Sequence, residues 1–207
     1  MSISQKNQIK PSHTPPKIAA SQQSANSVVC APEASGAVAT VPREEIIQHL
    51  QSVSLFFDIR DNLPALEAMS TEIVARQYLT GEVMIKEGQS GSELFLLISG
   101  SASVYKTTPD GDPFKVAVLD GAKNAFFGEG ALLDAEARSA TIAAESEARC
   151  LILNRRHFEH FCKTYPEWAL PVLRQIARVV MIRFRKTNAE FMLLYQALLA
   201  EVRGGEN

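Results

Sequence analysis

Eight of the eleven glycines fall between residues 81 and 130. That punctuation constrains the fold more than any other feature of the chain. Between and just beyond these glycines lie short runs of β-forming residues: "EVMIK", "ELFLLIS", "ASVYK", "FKVAVL", "ATIAA" and "CLILN". Many short strands at close spacing, separated by glycine turns, indicate a sandwich, barrel or jelly roll. "DGD" at 110–112 reads as a hairpin turn. No helical pattern alternates with the strands, which argues against a parallel α/β fold.

The flanks differ. Residues 1–41 contain no aromatic and are rich in Ser, Gln, Ala and Pro. Such a segment buries too little apolar surface to offset its ordering entropy, so a disordered tail is expected there. "PREEIIQHLQSVSLFF" opens the folded part: Pro42 suits a first helical position, and Glu44 and Glu45 suit the first turn. A second short helix is expected near "LPALEAMSTEIV". Helix returns at "RRHFEHFCKTYPEW", and a long helix is expected after Pro171. Val172 to Val202 holds no Pro or Gly, enough for about 46 Å of helix. Leu173, Ala177, Val180, Phe184, Thr187, Phe191, Leu194 and Leu198 form a heptad a/d seam. Packing on its own domain would use a similar stripe, but the length of the seam favours a homodimer through this helix. Gly204 and Gly205 then stop it. The expected organisation is a tail at 1–41, a jelly-roll domain with flanking helices at 42–165, and the long C-terminal helix at 166–207.

Composition excludes several functions. A formal net charge of −2 and a pI of about 6.1 do not suit a general nucleic-acid binder. Cys30, Cys150 and Cys162 have no metal-ligand spacing and no disulfide framework. The N-terminus lacks the apolar core of a signal peptide, and no apolar run reaches membrane-spanning length. A cytoplasmic protein without membrane insertion is expected. Among the four histidines, His13 lies in the tail and His49 on the first helix. His157 and His160 share a helix face with no third ligand near in sequence. No metal and no nucleophile–base arrangement is expected, so an enzyme is not.

"FFGEGALLDAEARSAT", residues 126–141, carries the chemistry. Gly128 and Gly130 permit close backbone approach or positive φ. "GEGALL" suits about one helical turn, whose first amides lack intrahelical partners and can face an anion. An ionised Glu129 only accepts hydrogen bonds, so it suits hydroxyls or amines. Arg138 carries a planar fork that matches a phosphate. Such a set suits a ligand with both an anionic group and a hydroxyl, as in a nucleotide.

The stretch resembles the phosphate-binding cassette of the cyclic nucleotide-binding domain family. The matching residues are Phe127-Gly128-Glu129, Ala131-Leu132 and Arg138-Ser139-Ala140-Thr141. "TGEVMIKEGQSGSELFLLISGSASV", "SLFFDI" and a helix around "YPE" are also similar to the family, and the resemblance spans roughly residues 43–186. It implies an antiparallel jelly roll flanked by helices. By the same resemblance, Glu129 would accept the ribose 2′-hydroxyl. The amides of Gly128, Gly130, Ala131 and Leu132 would line sugar and phosphate. Arg138 would pair with the cyclic phosphate, helped by the amides of Ser139 and Ala140. Leu132 would be the apolar link to the following helix. Base contacts would come from the last helix, where Arg183 and Phe184 lie nearest, although Phe184 also falls in the apolar seam.

The chain departs from the family at Asn124, where a Gly is usual, and at Gly130, where many relatives are apolar. Asn tolerates left-handed backbone better than most residues, so the turn is expected to survive. Gly130 is expected to loosen the cassette helix. Ser139 fits both ligands known to the family: cAMP is expected, with cGMP as the alternative. A scaffold without ligand is disfavoured by the presence of both Glu129 and Arg138. Few residues follow the long helix, leaving no room for a winged helix and no direct DNA binding. The expected protein is a stand-alone sensor that acts on an unidentified protein partner.

Overall fold

The computed structural model describes residues 36–134 and 136–204. Nine strands and four α-helices fill them: β1 (Ala37–Ala39), α1 (Arg43–Ser52), α2 (Leu63–Ser70), β2 (Ile73–Tyr78), β3 (Val83–Ile85), β4 (Glu93–Ser99), β5 (Ser101–Thr107), β6 (Pro113–Asp120), β7 (Phe126–Phe127), β8 (Thr141–Ala144), β9 (Ala148–Asn154), α3 (Arg155–Thr164) and α4 (Pro166–Gly204). Short 3-10 turns occupy Ser54–Ile59, Gly121–Lys123 and Glu129–Leu132. Every pairing among these strands is antiparallel. One sheet runs β1-β2-β9-β4-β7 and the other β3-β8-β5-β6. This is the expected jelly roll, flanked by helices.

The near-continuous apolar runs of β4 and β9 follow from burial on both faces. Alternate residues go to different cores. Phe95 and Leu97 of β4, with Cys150 and Ile152 of β9, point between the sheets, where they meet Met84, Ile85, Ala102 and Ile142. Leu94, Leu96, Leu151 and Leu153 point the other way, against the helices, and meet Leu50, Phe56, Leu66, Phe158, Phe161 and Ile176. The aromatic doublet of β7 splits in the same manner. Phe126 joins the helical core and Phe127 the inter-sheet core, stacked on Phe95 with ring centroids 5.0 Å apart.

The tail expected over 1–41 lies outside the described residues up to position 35, but its end is ordered, and the folded region starts before Pro42. Ala37–Ala39 pair with β2, and Arg76 donates to the Gly36 carbonyl at 3.1 Å. The outer edge of β2 supplies the hydrogen bonds that residues 37–39 need, while Ala39 and Val41 pack on the helical core. The last helix begins at Pro166, the start of the expected 166–207 segment, and not only after Pro171. Pro171 sits in the second turn, so its missing N–H leaves only a first-turn carbonyl without an acceptor role. From Val180 onward the apolar residues of α4 project from the domain, with Phe191 and Leu194 about two-thirds exposed.

Candidate ligand site

The cavity of about 610 Å³ has three walls: residues 126–131, 134 and 136–140, the sheet residues Val104, Ala117, Leu119 and Ile142, and Arg183 with Lys186 of α4. Of the residues singled out from sequence, Phe127, Gly128, Glu129, Gly130, Ala131, Arg138, Ser139, Ala140 and Arg183 line it. Leu132 instead lies beneath the wall in the helical core, with Phe158 and Phe161 of α3. Phe184 does not line it and is exposed. One residue further along a helix is a rotation of about 100°, which turns Phe184 away from the wall that Arg183 forms.

The turn into the cassette is built locally. The Asp120 carboxylate accepts from the Ala122 amide at 3.0 Å. Asn124 adopts φ 51°, ψ 41°, a left-handed conformation, so the turn forms without a glycine there. Gly128 follows at φ 79° and leads into the single turn Glu129–Leu132.

Arg138 is held against backbone. Its Nη2 donates to the Glu93 carbonyl at 2.9 Å and its Nη1 to the Gly128 carbonyl at 3.4 Å. The guanidinium lies directly over Gly91: a Cβ there would sit 2.0 Å from Nε and 2.4 Å from Cζ. The main chain of Arg138 is fixed as well, donating to the Gln89 carbonyl at 2.8 Å and accepting from the Gly88 amide at 2.9 Å. These contacts fix the position and orientation of the fork.

Glu129 is buried, and its Oε1 forms an ion pair with Arg183 Nη1. Arg183 Nη2 also donates to the Phe126 carbonyl at 3.2 Å, and its guanidinium lies 5.4 Å from the Phe126 ring centroid. Arg183, which the resemblance puts near the base, reaches the acid of the cassette. Glu129 and Arg138 are thus engaged with different groups at different ends of the stretch.

Two residues not singled out from sequence support the cassette from behind. Arg155, the first residue of α3, donates to the carbonyls of Ala131, Asp134 and Gly91. Lys106 of β5 donates to the Ser139 carbonyl. Both act on backbone carbonyls far away in sequence, so no local pattern marks them.

The other candidates stand apart. His157 and His160 are exposed, as expected, with His157 Nδ1 3.8 Å from Glu72. No group of metal-ligating side chains occurs among the described residues. Burial pushes the Cys150 thiol up to about 12, and Cys162 is also raised, mainly by burial. Cys30 lies outside the described residues. Among the described residues no helix is long and apolar enough to cross a membrane.

The family model described as "Cyclic nucleotide-binding domain" matches residues 75–165. Residues 75–165 belong to the cyclic nucleotide-binding domain family. The chain is 35% identical over 130 residues to "cGMP-dependent protein kinase 2" of Mus musculus, covering 60% of this chain and 16% of the kinase. It is 34% identical over 116 residues to a "cAMP-dependent protein kinase regulatory subunit" of Mycosarcoma maydis, covering 53% and 21%. Among solved structures it resembles the Thermus thermophilus catabolite activator protein, with a TM-score of 0.60 and 26% identity over 68% of this chain and 62% of that one. The chain thus spans about a sixth to a fifth of the length of the two curated kinase relatives.

Proposed function

We propose that the cavity binds a cyclic nucleotide and that the chain is a sensor, a binding module and not an enzyme, whose output is the position of α4. The observation that carries this reading is the arrangement around Arg138. A guanidinium pinned by two carbonyls over Gly91 lines one cavity of about 610 Å³ together with a buried carboxylate and a glycine-rich turn. Arg138 supplies the phosphate partner and Glu129 the acceptor for a ribose hydroxyl, while Val104, Leu119 and Ile142 offer an apolar surface to a base. cAMP is the first ligand to test and cGMP the second; matched relatives are named for each.

Arg183 connects the site to the output. A ribose hydroxyl arriving at Glu129 meets a carboxylate already paired with α4. Binding therefore changes an ion pair that ties this helix to the cassette, while Leu132 carries any cassette movement into the core beside α3. Beyond the domain, α4 presents its apolar seam, which fits a second copy of the chain. The protein acting downstream is a separate partner.

Calorimetry with cAMP and with cGMP tests the reading. Saturable heat with one of them supports it; no heat with either at high micromolar nucleotide overturns it.

A further inference from the structure

We propose that Lys106, held in place by Glu87, is a positioning residue for the anion end of the cavity; this rests on the cyclic-nucleotide reading above. Lys106 lies on β5, outside the cassette, and its ammonium donates to the Ser139 carbonyl. A trans peptide directs its C=O and N–H to opposite sides. With the Ser139 oxygen drawn to Lys106, the Ala140 N–H of the same peptide turns the other way. Ser139 and Ala140 both line the cavity, beside Arg138. Lys106 thus aims a backbone donor at the space where Arg138 would hold a phosphate.

Neighbouring contacts hold the same segment by its outer side. The Arg138 carbonyl accepts from Gly88, and the Thr141 hydroxyl accepts from the Glu87 amide at 3.0 Å. Lys106 covers a peptide between them. Glu87 keeps the lysine there: its carboxylate accepts from the Thr107 amide and hydroxyl, each at 2.9 Å, and lies 3.4 Å from Lys106 Nζ. A cation on the carbonyl end also polarises the peptide, which strengthens the N–H as a donor to an anion, as in a hydrogen-bond chain.

The test compares wild type with Lys106→Met, Lys106→Arg and Glu87→Gln by calorimetry with the nucleotide that binds, using Lys123→Met as a charge control on an exposed lysine outside the cavity lining. Lys106→Met should weaken binding by about tenfold, the lower end for loss of a charge-assisted hydrogen bond. Lys106→Arg should recover most of that, Glu87→Gln should weaken binding less than Lys106→Met, and Lys123→Met should match wild type. In NMR spectra, the downfield movement of the Ala140 amide proton on nucleotide addition should shrink in Lys106→Met. Affinity unchanged in Lys106→Met, or an equal loss in Lys123→Met, overturns the proposal and leaves the nucleotide reading intact. A wild type that binds neither nucleotide removes the nucleotide reading itself.

Discussion

At the scale of single residues, the site is set by what glycine leaves empty. Gly91 has no Cβ, and the Arg138 guanidinium occupies that space. A methyl group there would meet the Arg138 side chain, not backbone, so the fold can absorb it and the fork cannot. Gly91→Ala should therefore lower nucleotide affinity at least tenfold while shifting the melting temperature only slightly. A variant that binds like wild type would show that the pinned fork is dispensable. Gly128 differs, because backbone constrains it as well as the fork: its φ is 79°, and an added Cβ would stand 2.7 Å from Arg138 Nη1 and 2.8 Å from the Glu93 carbonyl oxygen. Replacement there strains the fold itself. Asn124 shows that a left-handed turn does not require glycine where a short polar side chain tolerates it.

At the scale of elements, the strands with two buried faces were legible as apolar runs between glycines, and so was the hairpin at 110–112. β1, β2 and β7 were not. β2 reads "IVARQY" and follows directly on a helical stretch, so its identity rests on partners at both edges. β7 has two residues and exists through pairing with β4. The cassette itself was legible because its chemistry lies in one contiguous stretch. Arg155 was not legible, since the carbonyls it serves are 21 to 64 residues away, and neither was the ion pair of Arg183 with Glu129, because sequence gives no helix rotation relative to the domain. For α4, the exposed seam makes a specific demand. The double change Phe191→Ser and Leu194→Ser should yield a monomer by light scattering and leave nucleotide affinity within a few-fold of wild type. A double variant as dimeric as the parent would exclude the seam as the contact.

At the scale of the whole molecule, two cores share the five-stranded sheet, so the helices and the inter-sheet interior are joined through β4 and β9. His49 of α1 stands in the helical part with a buried Nε2 that lacks a hydrogen-bond partner. Burial lowers its pKa below 6.5, against a smaller opposing effect of Glu45. The unfolded chain then binds a proton in a range where the folded chain does not. The stability contributed by neutral His49 is full above pH 6.5 and is lost as pH falls from there toward the lowered folded value. Denaturant midpoints should drop between about pH 7 and pH 5, and His49→Gln should reduce that slope; an unchanged slope would assign the effect to other groups.

In the proposed complex, Arg138 receives the phosphate of a cyclic nucleotide. Titration of wild type and Arg138→Ala with the same nucleotide, at matched melting temperature, tests it most directly. Wild type should bind saturably and the variant should lose about 3–5 kcal/mol, as when one partner of a buried ion pair is removed. Equal affinity in the two proteins would contradict it.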